Sequence, residues 1–131
     1  EETRFARAWS SWENALASVY SNGSGGDAPG DYARAFARLE NHYFQNRAFL
    51  SEDQQILRNM TRIAHVPGTI VQGRHDMICP PQAAWSLHKS WPTSEFRMIP
   101  RAGHAVSEPG IAAELVRTTD KLARQRDTLG L

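Results

Sequence analysis

The 131-residue chain has a single cysteine, Cys79. An internal disulfide is therefore impossible, and the composition fits a reducing, cytoplasmic setting. No run of like charge reaches five residues, and the formal net charge is +1. That balance provides no strong field for nucleic acid or an anionic membrane, so neither is expected as a partner. No apolar stretch approaches the roughly 18 residues of a membrane span. The opening Glu1-Glu-Thr-Arg4 is charged and has no apolar h-region, so nothing there reads as a signal peptide. An initiator methionine is also missing, so residue 1 need not begin the natural protein. Internal repeats and low-complexity tracts are absent.

What remains is a chain with 40% hydrophobic and 22% charged residues, the balance of a soluble globular domain with a core. Phe5, Trp9, Trp12, Leu16 and Val19–Tyr20 recur at helical spacing, which predicts a helix over 3–20 with one apolar stripe. Glu13 lies at the edge of that stripe. A Gly/Pro-rich loop over 22–30 must end this helix. Asp31 is then the expected N-cap of a second helix, with Tyr32, Phe36, Leu39 and Tyr43 on its apolar face and Glu40 at the edge. A shorter helix over 51–62, capped by Ser51, is expected next.

The pattern changes at His65-Val-Pro-Gly68. From there it predicts strand (69–73), a loop with Asp76, helix (81–91), strand (95–100), a loop with His104 and helix (109–126). The β-branched Thr69-Ile-Val71 suits a buried parallel strand. Ile111, Leu115, Val116, Thr119 and Leu122 form the expected buried stripe of the last helix. Two strands make a poor sheet alone, so this reads as part of a larger one.

Asp76 and His104 each follow a strand and precede a helix. In a parallel sheet both loops open on one edge, where the two side chains can meet. An Asp bonded to a His ring nitrogen fixes its tautomer and stabilises the imidazolium formed in proton transfer. The order Ser…Asp…His belongs to hydrolases whose serine sits in Gly-x-Ser-x-Gly. That motif occurs nowhere; Gly23-Ser24-Gly25 has the wrong spacing and no strand before it. The plain alternative is a loop Asp capping a helix and a surface His in a Gly turn. Cys79 reads as a packed loop residue, since Asp76 so near in sequence raises a thiol pKa. His65, His75, Asp76, Cys79 and His104 are ligand types without the close pairs of a metal site, so no metal or cofactor is expected.

Four segments together carry a family resemblance: Trp9-Ser-Ser-Trp12-Glu13, Ala35-Phe-Ala-Arg-Leu-Glu40-Asn-His-Tyr-Phe44, Val71-Gln-Gly-Arg-His-Asp76-Met-Ile-Cys-Pro80 and Ala102-Gly-His104. Over roughly 5–125 the chain resembles the C-terminal portion of the proline iminopeptidases, prolyl aminopeptidases of the α/β-hydrolase fold. The resemblance implies Asp76 as triad acid and His104 as triad base. It implies Glu13 and Glu40 as the cap carboxylates that bind the free imino terminus of the substrate, and Cys79 as a non-catalytic neighbour. It puts the serine elbow and the oxyanion-binding region upstream of this chain.

The expected fold is therefore α/β. A helical cap segment (1–64) would precede a β-α-β-α part of the hydrolase core (65–131). The expected function is that of the C-terminal segment of a serine aminopeptidase releasing N-terminal proline, inactive alone. Its expected partners are a peptide with N-terminal proline and the missing serine-bearing part of the same enzyme. A cut sheet edge would also favour self-association. A segment of an esterase or amidase of the same fold, or a non-catalytic interaction module, are the alternative readings.

Overall fold

The computed structural model describes residues 1–20 and 28–129, with side chains through residue 125. Most of the loop expected over 22–30, including Gly23-Ser24-Gly25, lies outside the described residues. The order of elements is α1 (Glu2–Ala17), α2 (Gly30–Gln45), α3 (Gln55–Arg58), β1 (Gly68–Gly73), α4 (Pro81–Ser90), β2 (Ser94–Ile99) and α5 (Pro109–Leu129). Strands β1 and β2 pair in parallel, from Gly68 opposite Ser94 to Gly73 opposite Ile99. Helix α4 makes the crossover between them. The fold class is α/β, as the sequence pattern predicts.

Several local expectations need correction. Helix α1 ends at Ala17 because Ser18 is extended (φ −133°, ψ 138°). Asp31 is not the cap of α2. Pro29 precedes the first turn, and Asp31 within it pairs with Arg34. The helix expected over 51–62 is one short α-helical turn, with separate 3-10 turns at Arg47–Phe49 and Met60–Arg62. Ser51 caps nothing: its N–H and Oγ both bond the Gln55 side-chain oxygen, at 2.7 and 2.8 Å. That contact draws the chain into a turn before α3 can start. Residues 47–49 are left-handed (φ 50°, 52° and 60°), a conformation that costs non-glycine residues. Phe49 packs there on His42 and Tyr43, with centroids 5.3 and 5.4 Å apart, which helps hold the turn.

The buried apolar set is small: Ala6, Ala33, Met60, Ala102 and Ile111. Helix α1 meets α2 through small side chains, so Ala6 and Ser10 are buried on α1 and Ala33 on α2. The predicted stripe is not buried by this contact: Phe5, Trp9 and Trp12 stay exposed, although Trp9 reaches Phe44 of α2 with ring centroids 6.3 Å apart. On α5 Ile111 is buried, but Val116 and Leu122 are exposed and Glu114 is buried in their stead. The buried acid has two cationic partners, Arg117 of the same helix at 2.7 Å and Arg97 of β2 at 3.5 Å. Burying Ile111 is worth roughly 1.5–3 kcal/mol, and the neighbouring Gly110 lies close against β2, since a Cβ there would stand 2.6 Å from the Ile99 Cγ2.

Candidate active site

The parallel pairing of β1 and β2 brings their following loops side by side. The ladder continues past the strands: Arg74 N–H donates to Ile99 O and His75 N–H to Ala102 O, both at 2.9 Å. The two loops approach to backbone contact where Gly73 meets Ala102 and Gly103, a spacing no side chain would permit. Asp76 and His104 leave these two loops three residues beyond Gly73 and one beyond Gly103.

Asp76 is buried, and its two oxygens have separate tasks. Oδ1 accepts the N–H groups of Ile78 and Cys79 at 3.0 and 2.7 Å, shaping the loop into α4. Oδ2 lies 3.1 Å from His104 Nδ1. A carboxylate accepts and does not donate, so the ring proton sits on Nδ1. The Gln72 amide nitrogen also approaches Oδ2 at 3.2 Å, and reaches Gly73 O and Cys79 O at 3.1 and 3.2 Å. His104 keeps 41% of its side chain exposed, and its Nε2 makes no hydrogen bond among the described residues. The arrangement is that of an oriented imidazole with one nitrogen available for proton transfer.

Glu13 is only 8% exposed and stands on the inner face of α1. Burial pushes its carboxyl above the usual range, Glu40 pushes it further, and His104 pulls it back. Its carboxylate is thus within electrostatic reach of both the second acid and the ring. Glu40 on α2 accepts the Trp9 indole N–H through Oε2 at 2.5 Å. This is one reason an otherwise apolar Trp remains at the helix surface: its N–H has a partner. Cys79 is exposed as a residue, yet the cover its thiol does have pushes the thiol up. Asp76 and then Glu13 add to that, so the thiol form is favoured. Of the sequence-derived residues, then, Asp76 and His104 are in direct contact. Glu13 lies within electrostatic reach of both His104 and Glu40, and Cys79 borders the group through its backbone.

Residues that pattern reasoning missed complete the support. Gln72 is a polar residue in an apolar strand, a signal that was available. Glu108 left no signal beyond that of an acid preceding a helix. It is 3% exposed, and its Oε1 accepts Ser18 Oγ at 2.7 Å and Val19 N–H at 2.6 Å. Burial pushes this carboxyl up, but bonds from Ser18, Val19 and the Gly103 backbone outweigh it and hold the group below the usual range. A groove of about 410 Å³ between α1 and α2, whose lining includes Phe5, Trp9, Arg34, Asn41 and Phe44, contains neither Asp76 nor His104. Among the described residues there is no cluster of three or more His, Cys, Asp or Glu able to hold a metal ion. Nor is any described helix long and apolar enough to cross a membrane.

No family model matches the chain. Individual relatives do. A probable proline iminopeptidase of Leptolyngbya boryana is 46% identical over 123 residues, 92% of this chain and 38% of the relative. The proline iminopeptidase of Arabidopsis thaliana is 45% identical over 119 residues, 89% of this chain and 31% of that protein. That of Xanthomonas citri is 45% identical over 127 residues, covering 94% and 41%. The chain spans less than half the length of these curated relatives. By sequence the chain is a partial homologue of the proline iminopeptidases.

Proposed function

We propose that this partial homologue of the proline iminopeptidases is the C-terminal segment of a serine aminopeptidase that releases N-terminal proline from peptides. The observation that carries the reading is the 3.1 Å contact of His104 Nδ1 with buried Asp76, made at the ends of adjacent parallel strands. In the intact protein a serine from outside this segment attacks the prolyl carbonyl carbon. His104 Nε2 takes the serine proton and returns it to the leaving amine, while Asp76 holds Nδ1–H and stabilises the imidazolium. Backbone N–H groups outside this segment would hold the oxyanion.

Glu13 and Glu40 give this chemistry its substrate. Glu40 adds to the burial that raises the Glu13 carboxyl, and a cation between the two acids would relieve that repulsion. A proline N-terminus is a secondary ammonium with two N–H donors, one for each acid. An internal proline has neither charge nor donor and would leave a buried acid unpaired. Residues 1–64 act as the cap that supplies these acids, and residues 65–131 as the core part that supplies Asp76 and His104. The exposed Phe5, Trp12, Tyr32 and Leu39 are surfaces for the remainder of the same enzyme.

The test is hydrolysis of a proline arylamide. The purified 131-residue chain is expected to give none, and the full-length protein to turn it over in preference to simple esters. Turnover by the segment alone would refute the missing-nucleophile reading. A full-length protein that cleaves esters but not the arylamide would refute the aminopeptidase reading.

A further inference from the structure

Glu108 stands apart from the acids discussed so far. It touches neither Asp76 nor His104 through its side chain, yet it is among the most buried charged groups of the chain at 3% exposure. Its backbone begins α5, where Ala112 N–H donates to Glu108 O at 2.9 Å. An acid that merely favoured the helix N-terminus would remain beside its own first turn. The Glu108 carboxylate instead crosses to the segment after α1 and accepts Ser18 Oγ and Val19 N–H at 2.7 and 2.6 Å.

The loop between Gly103 and Glu108 is tied to the same place by other bonds. His104 N–H and Ala105 N–H both donate to Ala17 O at 2.7 Å, and Glu108 N–H donates to Ala105 O at 3.0 Å. Gly103 packs flat against α1, since a Cβ there would stand 2.8 Å from Ala17 O. The last carbonyl of α1 and the two residues that follow are therefore fastened to the His104 loop from both sides. Helix α1 is also the helix that carries Glu13.

We propose that Glu108 is a positioning residue, whose carboxylate latches the His104 loop onto the carboxyl end of α1 and so sets the spacing between His104 and Glu13. Loss of the latch frees Ser18 and Val19 and leaves the loop held by the two bonds to Ala17 O. The ring of His104 and the carboxylate of Glu13 then lose their common support. The consequence for catalysis rests on the aminopeptidase reading; the latch itself does not.

Amide hydrogen exchange in the full-length protein tests the latch directly. In Glu108→Ala the amides of His104 and Ala105 should exchange about tenfold faster or more, while those of Val71 and Met98 in the strand ladder stay as in wild type. Glu108→Gln keeps an oxygen for Ser18 and Val19 without the charge and should fall between the two, which also covers a failure of the alanine variant to fold. With a proline arylamide, both variants should lower kcat more than they raise KM. Unchanged exchange at His104 and Ala105, or equal acceleration at Val71, would overturn the proposal by reducing Glu108 to a bystander or a general stabiliser. A wild-type protein that leaves the arylamide uncut while the exchange pattern holds would fault the aminopeptidase reading and spare the latch.

Discussion

Gly73 and Gly103 meet backbone to backbone: a Cβ built on Gly73 would stand 1.9 Å from the Gly103 carbonyl oxygen and 2.7 Å from that of Ala102. This approach sets the distance between the loops from which Asp76 and His104 arise. The contact between those two side chains is a consequence of how closely two strand ends can pack.

Gly73→Ala should therefore be among the most damaging single changes. The obstacle is backbone, which cannot swing aside as a side chain can, so the loops must separate. A loss of about 2–4 kcal/mol is expected, read as a fall in the denaturation midpoint. The His104 ring should lose its bond to Asp76 together with that stability, visible as loss of the low-field Nδ1–H proton resonance.

Asp76→Asn separates orientation from fold. The amide oxygen still accepts the Ile78 and Cys79 N–H groups, so thermal stability should change little. The side chain facing His104 is then neutral and no longer stabilises an imidazolium. In the full-length protein kcat should drop on the order of 10³- to 10⁴-fold, measured with a proline arylamide. A drop under tenfold with unchanged stability would remove Asp76 from the triad.

Glu13→Gln should have opposite effects on stability and on substrate binding. Burial first, and Glu40 second, raise the carboxyl of Glu13 in the folded chain. Its ionisation costs no stability below the unfolded-state pKa. The cost grows as pH rises past that value and is complete above the folded one. The variant should thus melt higher than wild type near neutral pH and equally near about pH 3. Glu108, held below the usual range, has the reverse sign: its stabilisation is full above the unfolded-state pKa and is lost as pH falls through the folded one. In the full-length protein Glu13→Gln should raise KM for N-terminal proline roughly 10- to 100-fold, through loss of one charge-assisted bond.

The isolated chain should also associate. Among the described residues its sheet has two strands, and Phe5, Trp12, Tyr32, Leu39 and Phe44 are exposed. Open strand edges and apolar faces of this kind recruit one another. Size-exclusion chromatography should find the 131-residue chain eluting ahead of a monomer, with the shift growing with concentration. A sharp monomer peak at all concentrations would instead favour the non-catalytic module.

Much of the second half was legible in the sequence because its signals are local. Short β-branched runs, each closed by a turn and followed by a helical period, put β1, α4, β2 and α5 close to their observed bounds. They also put Asp76 and His104 at strand ends. The family-bearing segments supplied Glu13 and Glu40. The first half was less legible: helical period identifies a face but not what lies against it. The Phe5–Trp9–Trp12 stripe is regular, yet the positions that α1 buries are Ala6, Ser10 and Glu13, and Trp9 stays exposed even while it bonds Glu40 on α2. The same reasoning misjudged α5, where Glu114 is buried between Arg117 and Arg97.

Sequence by itself determined the order of the chemistry: an acid after one strand, a histidine 28 positions later after the next, and no serine motif between or before them. Only the tertiary structure decided how those groups are held. Glu108 and Ser18 are 90 positions apart, and Gly73 and Gly103 are 30 apart in the chain. No local pattern links such pairs, because their contact depends on the chain returning to the same place. That return is what buries Glu13 and Glu108, brings Glu13 within reach of His104, and gives each glycine its reason for having no side chain.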